Sequence, residues 1–402
     1  MTESSYDIAI VGGGIIGLAT ALALSEQAPE WRLAVLEKEA RLAAHQSSHN
    51  SGVIHAGIYY TPGSYKACLC VEGLKLMLTF CDMYGIRYER CGKVIVATSP
   101  DELPRLSRLY QRGVANGVAG LERIGPERVR EIEPHANALA AIYSPATGIV
   151  DFGKVSMTMA NVLQGRGTAI LTGARVERIA HADGGVVLET PLGPIRARAL
   201  INCAGLHADR LARLMGVRTD VRIIPFRGEY YNLIGERRHL VRGLIYPVPD
   251  PAFPFLGVHF TRTIDGGVEA GPNAILAFAR EGYTYWHIRL GDVAGMLAYA
   301  GFWRMVSRYW RVGLYELYRS VNRVAFVRAL QRLVPEISAA DIVPGGSGVR
   351  AQAVEQDGDL ADDFRIVETP KAIHVLNAPS PAATASLAIG RHIAEMAART
   401  FT

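Results

Sequence analysis

Tyr6-Asp-Ile-Ala-Ile-Val-Gly12-Gly-Gly-Ile-Ile-Gly17 reads as a short buried strand running directly into a G-x-G-x-x-G turn. An apolar pattern at helical spacing continues through Leu18, Ala21, Leu22 and Leu24, and a second strand, Arg32 to Leu36, ends at Glu37. Each glycine has a separate task in such a unit. Gly12 permits the tight turn, Gly14 lets the backbone approach a pyrophosphate, and Gly17 lets the helix lie close to the strand. The pyrophosphate then sits at a helix N-terminus, beside Ile15 and Ile16. Glu37, followed by Lys38, is placed to accept from both hydroxyls of an adenosine ribose, and its charge would repel a 2′-phosphate. The fingerprint in this strand–helix–strand setting predicts a dinucleotide site and an α/β fold with a Rossmann-like core.

Outward from the fingerprint comes His45-Gln-Ser-Ser-His-Asn-Ser-Gly-Val-Ile-His-Ala-Gly-Ile-Tyr-Tyr-Thr61, which has neither a helical nor a strand period. Ser47, Ser48 and His49 are small or polar groups suited to a pyrophosphate or a flavin edge. Three later segments look fit to complete the site. Gly173 to Ile179 reads as a strand passing the adenine at Val176. Residues 199–205 read as a strand ending in Ala204-Gly205. His374 to Pro381 runs from a strand into a helix expected near Ala382, with Ser380 and Pro381 at the flavin. A cofactor drawing on such distant segments is better matched by FAD than by NAD.

Composition bounds the rest. The chain has 402 residues, long enough for two or three domains, and a net charge of +5, too mild for a nucleic-acid binder. Five cysteines with no C-x-x-C pair suggest reduced thiols in the cytoplasm. Glu3 and Asp7 with no basic n-region predict no signal peptide. The FAD-binding domain is expected to be discontinuous, over 1–90, 150–220 and 340–402. A second, β-rich substrate domain is expected over 91–149 and 221–339. Within it, 284–332 stands apart: Trp286, Trp303 and Trp310 are here, and Arg304, Arg308 and Arg311 share a helical face. That pattern suits a helix lying on an anionic membrane surface, and a solvated face over a core fits it equally.

Several blocks now resemble one family. They are Ser48 to Tyr60, Pro225-Phe-Arg-Gly-Glu-Tyr230, Tyr246-Pro-Val-Pro-Asp250, Pro254-Phe-Leu-Gly-Val-His259, Gly271-Pro-Asn-Ala274, Gly348-Val-Arg-Ala-Gln352 and Asn377-Ala-Pro-Ser-Pro-Ala-Ala383. They look like the L-2-hydroxyglutarate oxidase/dehydrogenase family, within the D-amino-acid-oxidase-like FAD fold, over nearly the whole chain. The resemblance implies FAD-dependent oxidation of L-2-hydroxyglutarate to 2-oxoglutarate, with electrons passed to membrane quinone or oxygen. It makes the protein cytoplasmic or peripheral on the inner face of the cell membrane.

That chemistry sets requirements. A hydroxyl is hardly ionised at neutral pH, so a base must take its proton as the hydride leaves, and histidine suits the task. His55 is the first candidate, His259 the second and His374 the third. Arg350 resembles the arginine that grips a substrate carboxylate in amino-acid oxidases, although Ala351 stands where a proline is usual. Arg227, Arg262, Lys66, Tyr59 and Tyr60 are candidates for the second carboxylate. His45 and His49 are four apart, but the loop composition opposes a helix and no metal is expected. Other readings are an FAD oxidase of an amino acid or glycerol 3-phosphate, a flavin-holding tether at the membrane, and an NAD-dependent dehydrogenase.

Overall fold

The computed structural model describes residues 5–182, 184–251 and 256–401. Pro254 and Phe255 of one family-like block lie outside the described residues.

Strand β1 (Ser5–Val11), helix α1 (Ile15–Gln27) and strand β2 (Leu33–Leu36) form as the apolar pattern predicts. Strand β1 lies parallel to β2 on one side and to the long strand Gly193–Asn202 on the other. Ala169–Leu171 extends this sheet beyond β2, and Ala372–Asn377 pairs in parallel with the end of Gly193–Asn202. All parallel strands therefore present their C-terminal ends on one edge, where the glycine turn also lies. That edge is where open α/β sheets bind ligands. Helix α1 packs between the helices Phe152–Gly165 and Ser386–Thr400. Its alanines and leucines are buried nearly all round, joining a core with Ile8, Ile10, Val35 and Ile201.

A second sheet of nine strands carries the other half of the site. Its spine is an antiparallel pair, Val221–Leu233 with Ile342–Glu355, running from Val221 opposite Glu355 to Leu233 opposite Ile342 with a register shift between Glu229 and Tyr231. The pair sets Arg350 opposite Phe226. Strand Ile342–Glu355 thus lies wholly in the second sheet, while the stretch after it returns to the first. A turn at Asp265-Gly266-Gly267 joins the antiparallel strands His259–Arg262 and Val268–Gly271. A small sheet of Val53–Ile54, Gly148–Val150 and Tyr88–Glu89 holds the loop that carries His55.

Two expected elements differ. Gly173 to Glu177 is extended loop, and the strand there begins only at Arg178. Gly173 has φ +68° and its N–H donates to the Glu39 carbonyl, so this chain is fastened to the first sheet's edge loop, outside any ladder. The helix expected near Ala382 begins at Ser386, because Ser380 to Ala385 are spent in turns. The segment 284–332 forms three helices, Leu290–Leu297, Ala300–Val321 and Arg323–Gln331. Among the described residues, no helix is long and apolar enough to cross a membrane. All five cysteines are free thiols.

Candidate active site

A cavity of about 680 Å³ opens at the C-terminal edge of the first sheet and runs to the second sheet. The local backbone explains its first wall. Gly12 has φ +117°, and a Cβ there would stand 2.3 Å from the Cys203 carbonyl oxygen. A Cβ at Gly17 would stand 2.0 Å from the Gly12 carbonyl oxygen, so the helix can approach only because both are glycine. Gly14 differs: a Cβ there would meet only Ser47 Oγ, at 3.3 Å. The backbone is bare on the cavity side, as a pyrophosphate needs. Ser47 Oγ accepts the Ile15 N–H at 2.9 Å, which fixes the following loop across the start of α1.

Glu37 is buried, and its carboxylate accepts the N–H groups of Gly13 at 2.8 Å and Glu39 at 2.9 Å. A carboxylate offers about four acceptor positions, so two remain for a diol. The expected cofactor residues Gly12, Gly14, Ile15, Ile16, Glu37, Lys38, Ser47, His49, Val176, Ala204, Gly205, Ser380, Pro381 and Ala382 all line the cavity. Gly17 and Ser48 do not, and Gly17 acts through helix packing. The bare glycine turn, a helix start without a side-chain cap at Gly14 and the buried acid together fit an FAD.

A strap from the second half covers part of this wall. Glu281 accepts from Lys38 Nζ at 2.6 Å and lies 3.0 Å from His207 Nε2 and 3.3 Å from His45 Nε2. Those partners hold its carboxyl far below the usual carboxylate range, despite burial. Tyr283 OH is 3.0 Å from His45 Nδ1, and the Tyr283 carbonyl accepts from Ser347 Oγ at 2.7 Å. Arg280 is buried against Asp209 and the Leu206 carbonyl. Glu39, His45 and Glu281 are metal-ligand types brought together, but the Lys38 ammonium stands among them as the local cation.

The other end carries His55 and Arg350, both lining the cavity. His55 Nδ1 is buried without a hydrogen-bond partner among the described residues. Burial first, then the Lys93 ammonium and His259, hold this imidazole well below its ordinary pKa, so it stays neutral. The His55 N–H donates to Thr384 Oγ1 at 3.0 Å, tying its loop to the 378–385 turns.

The remaining candidates stand elsewhere. His259 is behind the wall, stacked on Tyr246 at 3.9 Å with Nδ1 2.9 Å from the Gly257 carbonyl. Burial pushes it down to about 3. His374 is fully buried in the first sheet, 3.1 Å from Asn202 Nδ2, and does not line the cavity. Tyr59 is buried with an unpartnered hydroxyl, and Tyr60 hydrogen-bonds Ser380; neither lines the cavity. Arg227 is paired with Glu229 at 3.1 Å and stacked on Tyr285, and Arg262 is paired with Glu89 at 3.2 Å. Lys66 does line the cavity and pairs with Asp362 at 2.7 Å. Sequence reasoning missed Glu281 and Lys93. The one local signal was a lysine heading an otherwise apolar strand, Lys93–Ala97.

Residues 7–396 match the family model described as FAD dependent oxidoreductase. The chain is 47% identical to an L-2-hydroxyglutarate dehydrogenase of Indibacter alkaliphilus, over 98% of this chain and all of that one. It is 49% identical to the mitochondrial L-2-hydroxyglutarate dehydrogenase of Nematostella vectensis, over 99% of this chain and 91% of the relative. Among solved structures it resembles an FAD-bound L-alpha-glycerophosphate oxidase from Mycoplasma pneumoniae. There the TM-score is 0.78 and the identity 25%, over 96% and 93% of the two chains.

Proposed function

The chain belongs to the FAD dependent oxidoreductase family, in the group of the L-2-hydroxyglutarate dehydrogenases, and from that premise we propose how its cavity oxidises L-2-hydroxyglutarate to 2-oxoglutarate. The observation that carries the reading is the His55 imidazole, whose buried Nδ1 has no partner among the described residues, sharing a wall with Arg350 in the cavity that begins at the glycine turn. Bound FAD supplies the acceptor for the hydride leaving Cα.

The protein's own groups do the rest. Arg350 grips the carboxylate next to the reacting carbon through two parallel N–H bonds, which fixes the face of Cα presented to the ring. His55 takes the hydroxyl proton. It is neutral before substrate arrives, so it is ready to accept. His259, stacked on Tyr246, stands behind the wall and does not line the cavity. The strap around Glu281 and the turns at Ser380 to Ala382 close the cavity walls and limit water. The test is a pair of variants. His55→Gln should lower kcat by about 100- to 10,000-fold with flavin still bound, while His259→Gln loses far less. Equal, small losses would remove His55 from the role of base.

We also propose that the 284–332 segment meets an anionic membrane and delivers electrons to quinone there. Trp286 is 91% exposed, Leu290 82% and Val321 71%, and Trp303, Trp310 and Leu314 are about half exposed. An apolar set of this kind flanked by arginines matches an interfacial helix. Arg308 is paired with Asp359 and Arg304 donates to the Gln356 carbonyl, so much of the basic face is spent within the fold. The driving force is therefore mainly apolar. Sedimentation with anionic vesicles, lost on Trp286→Ser with Leu290→Ser, supports the proposal; no sedimentation at low salt ends it.

A further inference from the structure

Lys93 is the buried cation that the mechanism above leaves unused. Its residue is 1% exposed, at the head of an apolar strand, and among the described residues it has no carboxylate partner. Its ammonium is held over the ring of Tyr246, 4.4 Å from the centroid, and over Tyr59 at 5.1 Å. Lys93, like Tyr59, Tyr246 and His259, does not itself line the cavity: Tyr246 stacks on His259, and the ammonium stands behind the wall that carries His55, where burial first and then this charge hold that imidazole's pKa down. Aromatic faces attract a cation but do not neutralise it. The contrast with its neighbours is clear. Lys38 is paired with Glu39 and Glu281, Lys66 with Asp362, and Arg227 with Glu229. Lys93 alone of these keeps a buried charge without a counter-ion, and burial pulls its pKa from the ordinary 10.5 to about 7. Among the described residues two more polar atoms of this cluster also lack partners, His55 Nδ1 and the Tyr59 hydroxyl. Such a set is incomplete without an anion.

We propose that Lys93 is the specificity-determining residue for the second carboxylate of the substrate. Arg350 takes the carboxylate beside the reacting carbon, and the Lys93 charge selects a dicarboxylate 2-hydroxy acid over a monocarboxylate one. Tyr59 and Tyr246 hold the ammonium in place before substrate binds. This rests on the reading that the His55–Arg350 end receives the substrate.

The test uses the FAD-loaded enzyme and two 2-oxo acids that it cannot oxidise, 2-oxoglutarate and 2-oxobutyrate, with binding read by calorimetry. Lys93→Met should weaken 2-oxoglutarate about 10- to 100-fold and change 2-oxobutyrate less than about threefold. Lys93→Arg should restore most of the dicarboxylate preference. Equal weakening of both ligands, or no weakening, overturns the inference and makes Lys93 structural. A wild-type enzyme that binds neither ligand instead overturns the functional reading beneath it.

Should Lys93→Met not fold, the wild type still decides. The titratable groups facing Lys93 are Tyr59, Tyr246, His55, His259, Cys70 and Cys91. Burial holds the phenols and thiols protonated and the imidazoles neutral. At about pH 8, 2-oxoglutarate binding should therefore take up a proton at Lys93, and 2-oxobutyrate binding should not. Equal proton uptake for both ligands contradicts the inference.

Discussion

Replacing Glu281 by Gln should release the cofactor faster without changing how the cofactor sits. Glu281 is the point where the strap of the second half grips the first. One carboxylate oxygen lies within 2.6 Å of Lys38 Nζ, 3.0 Å of His207 Nε2 and 3.3 Å of His45 Nε2. Its side chain is 15% exposed, so solvent weakens these bonds only in part. A charge-assisted bond in such a setting contributes about 1.5–3 kcal/mol. The amide still accepts weakly, and Lys38 retains Glu39. The net loss is therefore about 1–2.5 kcal/mol, less than the sum over three partners. Arg280–Asp209 and Tyr283–His45 still hold the strap, so the loss appears as easier local opening, with the global fold intact. An opening made easier by that amount speeds FAD release about 5- to 70-fold. Recovery of free-flavin fluorescence after dilution into excess competing nucleotide measures the rate. A rate within twofold of wild type, with Glu281→Gln folded and loaded, would refute the claim that this strap retains the cofactor.

Gly17→Val should yield a chain that binds no flavin, because the new Cβ would meet the Gly12 carbonyl oxygen at 2.0 Å; flavin content per purified chain reads this directly. Arg350→Lys should raise KM strongly with flavin retained, since a point charge cannot reproduce the bidentate grip, and unchanged kinetics would exclude it from the site. Stability should fall in acid. His259 at about 3 and His374 at about 4 lie below the ordinary 6.5, so the unfolded chain takes protons first. Their contribution is complete above about pH 6.5 and is lost as pH falls toward those values, about 2 kcal/mol each by pH 5. Denaturant midpoints at about pH 7 and pH 5 that coincide would contradict this.

Local constraints made half of the site legible. The glycine turn and Glu37 belong to one strand–helix–strand unit: the Gly12 carbonyl crowds Gly17 and Glu37 accepts the Gly13 N–H, whereas the Cys203 carbonyl that crowds Gly12 and the Ser47 hydroxyl that accepts from Ile15 come from farther along the chain. His55 and Arg350 came through resemblance, and both line the cavity. Burial in a second layer was not legible. His374 precedes the cavity-lining Val375 and Leu376 on one strand, yet it is fully buried beside Asn202 and does not line the cavity. Arg227 is neutralised two residues along its own strand by Glu229, and the stacked Tyr285 that covers it is remote in sequence. Glu281 carried no sequence signal, because its partners, Lys38, His45 and His207, come from distant parts of the chain. Lys93 passed for an ordinary strand residue, and its meaning depends on Tyr59 and Tyr246 folding over it.

The central claim is an FAD enzyme that removes hydride from one enantiomer of 2-hydroxyglutarate. The direct measurement is the visible spectrum of the purified protein, without oxygen, before and after each enantiomer is added. Bleaching of the flavin bands by the L-enantiomer alone is the predicted result. A bound flavin that neither enantiomer bleaches would contradict the substrate assignment.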